Sequence, residues 1–132
     1  MAKTLIKNGY VISMDPQVGD LPNGDVLIDG EFIVDVGPRL VVEDAEVLDA
    51  SNMTVIPGLI NAHIHLWQTA LRGMGSDWAG SDYYSFLHAN LATRYRPDDT
   101  FIATLVGALN QLDCGSTTVF DWCHNNPTPA HS

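Results

Sequence analysis

Pro57-Gly58-Leu59-Ile60-Asn61-Ala62-His63-Ile64-His65-Leu66 is the stretch on which the fold turns. Pro57-Gly58 breaks the chain, and an apolar run follows that fits a strand. Successive side chains on a strand alternate between faces. Ile60, Ala62, Ile64 and Leu66 then share a wholly apolar face, as expected where helices cover a sheet. Leu59, Asn61, His63 and His65 share the other face, which turns polar toward its C-terminal end. Two imidazoles one residue apart on the same side of a strand can reach a common point. Burying that much polar surface is costly without partners, and a metal ion is the natural partner for two imidazole nitrogens. A pair of exposed or hydrogen-bonded histidines is the plainer alternative. Position favours the metal, because reactive groups of parallel β/α barrels gather at C-terminal strand ends.

The segment from Val55 to Leu66 resembles the signature of the amidohydrolase superfamily of metal-dependent hydrolases. Trp67-Gln68-Thr69 and Leu71-Arg72-Gly73 are similar to one branch, the cytosine and guanine deaminase-like enzymes and the triazine chlorohydrolases. The resemblance runs from the N-terminal strands to Asp121. It implies an α/β fold, the start of a TIM-type (β/α)8 barrel preceded by a small β-sandwich domain. Residues 1–57 would be the N-terminal part of the sandwich domain and residues 58–132 the first two β/α units, with the barrel incomplete. The resemblance also implies a divalent metal ion, zinc first and iron as the alternative. His63 and His65 would supply two ligands, and later strands the others. The implied reaction is hydrolysis of a C–N or C–Cl bond on an N-heterocyclic small molecule through metal-bound hydroxide, in a deaminase or chlorohydrolase. Bound metal brings the pKa of water near 7.

Other positions follow from the same likeness. In this branch the glutamine at position 68 faces the substrate, where an amide pairs with ring-nitrogen and carbonyl edges; a helix-surface glutamine is the alternative. Trp67 and Trp78 are candidate aromatic walls for a flat ring, with ordinary packing as the alternative for Trp78. Asp121 is a candidate acceptor that orients a ligand histidine, or a cap for the following turn. His88 is expected on a helix surface. His124 and His131 follow the second strand, where the family pattern has no metal ligand, and His124 is a candidate for the pocket mouth. No residue is assigned as general acid or base. Two other readings stand beside this one: a binuclear cyclic-amide hydrolase of the dihydroorotase or hydantoinase type, and a non-catalytic binding or assembly module. Gln68 counts against the first of them.

Length limits the reading. The chain has 132 residues, of which 74 follow Gly58 (59 through 132), whereas a β/α barrel needs about 250. The expectation is the front of a longer enzyme, inactive alone and a homo-oligomer at full length. Sixteen acidic residues against six basic ones, a formal charge of −10, argue against nucleic acid or an anionic membrane as partner. No apolar run is long enough to span a membrane. Lys3 leads straight into a strand-like segment, so no signal peptide is expected. Cys114 and Cys123 match neither a C-x-x-C site nor a disulfide framework, which suits reduced thiols in the cytoplasm, with Cys114 buried near a helix end. Motifs of cytidine deaminases, H-E-x-x-H proteases and G-x-S-x-G hydrolases are missing, as are Walker and Rossmann glycine patterns.

Along the chain, residues 1–57 read as six short strands: 4–8, 10–13, 25–29, 31–36, 46–49 and 53–56. Asp15 to Gly24 reads as a polar turn region, and Asp29-Gly30 as a hairpin turn between β-branched runs. The sheet is expected to leave an unfilled edge. From Leu59 the pattern changes to strands alternating with helices. Leu66 to Arg72 fits one or two helical turns, followed by a glycine-rich loop to Gly80. A helix over 81–91 is expected, with Ser81 as N-cap and Tyr84, Leu87 and Leu91 as its stripe. Pro97-Asp98-Asp99 opens a stronger helix, with Phe101, Ile102, Leu105, Val106, Leu109 and Leu112 as its apolar stripe. Gly115 is placed to end it. Ser116–Asp121 then reads as the second barrel strand.

Overall fold

The computed structural model describes residues 3–131. Contacts divide the chain after Pro57 into two compact units.

The first unit is one five-stranded sheet, not two packed sheets, among the described residues. Its strands are β1 (Lys3–Ile12), β2 (Asp20–Asp29), β3 (Phe32–Gly37), β4 (Ala45–Asp49) and β5 (Thr54–Val55), in the order β3-β2-β1-β4 with β5 also on β1. β1 pairs antiparallel with β2 and parallel with both β4 and β5. The two N-terminal strands expected on either side of Gly9 are thus a single strand. Its pairing with β2 is irregular on both sides of Gly9. A side chain there has no room, since a Cβ on Gly9 would lie 2.6 Å from Val55 Cγ2. The expected turn region also shrinks. A tight turn at Asp15–Gly19, closed by Gly19 N–H donating to Asp15 O at 2.8 Å, reverses the chain. Asp20 onward is already strand, paired back to Ile12. Asp29-Gly30 forms the expected β2–β3 hairpin, with Gly30 at φ 61° where most residues are strained. Among the described residues β3 pairs only with β2, so one of its edges is free, and Phe32, Ile33 and Val34 on it are exposed.

Asp25 is the polar centre of this unit. Only 2% of it is exposed. Its carboxylate accepts the Asn8 N–H at 2.9 Å and the Leu40 N–H at 2.8 Å, and Lys7 Nζ stands 3.6 Å away. Removing a buried acceptor orphans the donors that it satisfied. Asp25→Ala is therefore expected to lower unfolding stability by about 3 kcal/mol, read as a shift of the urea midpoint by far-UV circular dichroism. An unchanged midpoint would show that water replaces the carboxylate at no cost.

In the second unit β6 (Leu59–Ile64) and β7 (Ser116–Asp121) pair in parallel. Between them run a 3₁₀ segment (Leu66–Leu71), a helical turn α1 (Gly80–Asp82), a π-helix (Tyr83–Leu91), another 3₁₀ turn (Ala92–Arg94) and the helix α2 (Pro97–Asp113). Pro97 at the first turn of α2 gives up an N–H that has no helical partner anyway. Asp99 turns back to accept the Arg96 N–H at 3.0 Å, and Arg96 forks onto it at 2.9 Å twice. That guanidinium holds the Asp99 carboxyl well below its usual range. Gly115, at φ 85°, ends the helix.

Three expectations fail here. The N-cap of the middle helical stretch is Ala79, whose N–H donates to Asp82 Oδ2 at 3.0 Å, not Ser81. The stretch continues as a π-helix, whose wider turn moves the buried stripe. Tyr83, Leu87, Leu91 and Ala92 face the core around Trp67, while Tyr84 is exposed. On α2 the buried residues are Thr100, Ala103 and Gly107, and the large apolar stripe is exposed. Small residues let α2 lie close on the 3₁₀ segment: a Cβ on Gly107 would come within 3.0 Å of Leu66 Cδ2. Cys114, at the end of α2, is exposed. Among the described residues no helix is long and apolar enough to cross a membrane.

Candidate metal centre

His63 and His65 flank the C-terminal end of β6. The pairing with β7 is irregular there. Asn61 pairs with Val119 and Ile64 with Asp121, so three steps on β6 match two on β7. An extra residue of this kind re-aims side chains, and such bulges recur beside active sites. Asn61 is turned onto α2, where its Nδ2 donates to Gln111 Oε1 at 2.8 Å. It does not share the histidines' face, and Ile60 and Ala62 of the expected packed face are exposed. Strict alternation fails because the bulge shifts its parity. The two imidazoles still meet, with ring centroids 5.0 Å apart and planes at 83°.

One of the rings is oriented by the backbone. His65 Nδ1 lies 2.8 Å from the Trp122 carbonyl oxygen. A carbonyl only accepts, so Nδ1 carries the proton and Nε2 carries the lone pair. Metal-binding histidines are held in this way. His63 stacks on the Trp122 ring at 5.4 Å and 27°. Trp122 therefore touches both histidines, a role that the reading of the sequence missed; its position directly after a strand end was the available signal.

Among the described residues Asp121 makes no hydrogen bond to a histidine. Its Oδ1 accepts the Leu66 N–H at 3.0 Å and caps the 3₁₀ segment that follows the histidine pair. The carboxylate goes to the orphan N–H of a helix start, and the neighbouring carbonyl takes the imidazole.

His88 and His124 extend the row of rings. His124 lies 4.4 Å from His65 and 4.8 Å from His88, centroid to centroid. His88 is half-buried, 4.8 Å from Tyr83 and 6.2 Å from Trp67. The expected helix-surface position is wrong because the π-helix turns this ring inward. Burial holds the His124 imidazole below its ordinary pKa, and the nearby His65 and His88 reinforce the shift against the opposing pull of Asp121.

Trp67 is not an open wall. It is 0% exposed and forms the centre of a cluster with Leu87 and Ala92. The first turn after β6 points it into the core, edge-on to Tyr95 at 5.2 Å. Trp78 packs partly against that cluster and lines a cleft of about 410 Å³ with Gln68, Leu71, Met74 and Tyr83. The Gln68 amide Nε2 donates to Tyr83 Oη at 2.8 Å.

Two adjacent imidazoles, one with its tautomer set, offer the donor type of part of a tetrahedral zinc shell. Among the described residues no set of three or more His, Cys, Asp or Glu side chains is arranged to hold a metal ion.

No family model matches the chain. The 5'-deoxyadenosine deaminase of Methanosarcina barkeri is 32% identical to it over 121 residues, which are 92% of this chain and 28% of the relative. The 5-methylthioadenosine/S-adenosylhomocysteine deaminase of Symbiobacterium thermophilum is 33% identical over 124 residues, with 92% and 28% coverage. Among solved structures, the atrazine chlorohydrolase of Arthrobacter aurescens TC1 complexed with zinc matches with a TM-score of 0.76 at 32% identity, over 89% of this chain and 28% of that one. The chain thus spans little more than a quarter of the length of these relatives.

Proposed function

Because the chain belongs to the amidohydrolase superfamily, we propose that it is the N-terminal part of a metal-dependent hydrolase that deaminates an amino-substituted N-heterocycle. The observation that carries this reading is the meeting of the His63 and His65 rings at a strand end, with the His65 tautomer set by the Trp122 carbonyl. Residues 1–57 are read as part of the small β-domain and residues 58–132 as the first two β/α units of the barrel. His63 and His65 would hold a divalent ion, zinc by analogy with the zinc complex of the chlorohydrolase. What such an ion supplies when bound is Lewis acidity, which makes water a nucleophile near neutral pH.

The chain's own residues prepare that site. The Trp122 carbonyl keeps the proton on His65 Nδ1, so its Nε2 stays a donor of electrons. Stacking on Trp122 restrains the His63 ring. The Asp121 carboxylate holds the start of the 3₁₀ segment, and so the path of the chain from His65 to Gln68. Gln68 stands beside the site with one end of its amide in use, and its carbonyl is available to a ring substituent.

The deaminase reading draws on the sequence relatives, which are deaminases of adenosine derivatives. A chlorohydrolase is the second reading, drawn from the structural likeness to the atrazine enzyme. Full-length protein assayed with 5'-deoxyadenosine and with atrazine separates the two. Ammonia release from the nucleoside is the expected outcome. Chloride release from the triazine alone selects the second reading, and turnover of neither sinks both.

A further inference from the structure

Gln68 stands in the first turn after the histidine pair, with its backbone N–H on the His65 carbonyl at 3.0 Å. It borders two clefts. One, of about 330 Å³, it shares with Ile64, His65 and Thr69. The other, of about 410 Å³, it shares with Trp78 and Tyr83. A glutamine amide has a donor end and an acceptor end on a broad terminal torsion, so an untethered Gln68 would offer either end to a ligand.

Tyr83 removes that freedom. Its hydroxyl takes the Gln68 Nε2–H at 2.8 Å. The tyrosine is itself anchored at the start of the π-helix. It packs against the cluster of Trp67, Leu87 and Ala92 and meets His88 edge-on at 4.8 Å and 76°. With one Nε2–H on the phenol, the amide is held with its nitrogen toward Tyr83 and Oε1 at the opposite end, with both acceptor positions free for a ligand.

Resting on the functional reading above, we propose that Tyr83 is a positioning residue that fixes the Gln68 amide with its carbonyl toward the ligand. The site then accepts a hydrogen bond from an exocyclic amine or a ring N–H, and it selects amino-substituted rings over rings without a donor. The polarity of the pair decides this, because an amide held the other way round would select ring nitrogens and carbonyls instead.

The test uses full-length protein as wild type, Tyr83→Phe, Gln68→Leu and the double variant. Binding of adenosine, which carries an exocyclic amine, and of purine riboside, which lacks it, is measured by calorimetry on metal-stripped protein. Steady-state kinetics on adenosine run alongside. Tyr83→Phe keeps the packed ring and removes only the hydroxyl. It is expected to weaken adenosine roughly fivefold, with the rise falling on KM more than on kcat, and to leave purine riboside unchanged. The double variant is expected to bind adenosine no more weakly than Gln68→Leu, because the two residues act as one unit. Equal weakening of both ligands would mean a merely structural tyrosine and overturn the proposal. Unchanged adenosine binding in Tyr83→Phe, or additive losses in the double variant, would overturn it too. Wild-type protein that binds neither ligand defeats the functional reading and this inference with it. If wild type binds adenosine, that reading stands and the variants judge the inference alone.

Discussion

His63→Ala and His65→Ala, each made in the full-length protein, are expected to lower kcat/KM about a thousandfold or more, equivalent to at least about 4 kcal/mol of barrier. Each removes one of two rings whose centroids lie 5.0 Å apart at the end of β6. In the proposed site an alanine would leave a gap in the coordination shell that only water can fill. The same argument applies to the 132-residue chain by itself. Two imidazoles fall short of the three or four protein ligands that a zinc site normally has, so the isolated chain is expected to bind zinc weakly and to turn over nothing. Atomic absorption of the purified variants, zinc titration of the isolated chain and a deaminase assay on all of them read the outcome. Full zinc content and activity in either alanine variant would remove the histidines from the site. Tight stoichiometric zinc together with turnover by the isolated chain would mean that its other ligands lie among residues considered unrelated to the metal.

Made alone, the chain is also expected to self-associate. Phe101 on α2 is 65% exposed, Leu105 43% and Leu109 57%, along the helix whose buried residues are Thr100, Ala103 and Gly107. Ile60 on β6 and Phe120 on β7 are exposed as well. Contiguous apolar surface of this kind marks an interface or an aggregation site. In the other unit β3 carries Phe32, Ile33 and Val34 exposed on a strand with a free edge, and free edges recruit further strands. Sedimentation velocity is expected to show oligomers whose size grows with concentration, and amide exchange to show weak protection in the second unit. A monodisperse monomer with strong protection across residues 59–121 would mean that these residues close a core of their own.

Much of this architecture was legible residue by residue. Asp29-Gly30 marked the hairpin because a tight turn needs positive φ, which glycine adopts without strain. Pro97-Asp98-Asp99 and Gly115 bracketed α2 because caps and dipole charges act within one helical turn. His63 and His65 were legible as a pair because two rings one residue apart at a strand end need no distant partner to come close. Tertiary structure decided the rest. A bulge against β7 turned Asn61 toward Gln111, fifty residues away in sequence. The Trp122 carbonyl, not the Asp121 carboxylate, became the partner of His65, because the carboxylate was drawn to the open N–H of Leu66. A π-helix brought His88 inward beside His124 and set Tyr83 on Gln68. Trp67 became core rather than pocket wall. Dihedral preference and capping act within a few residues and can be read from the chain, whereas which face is covered depends on what arrives from elsewhere in the fold.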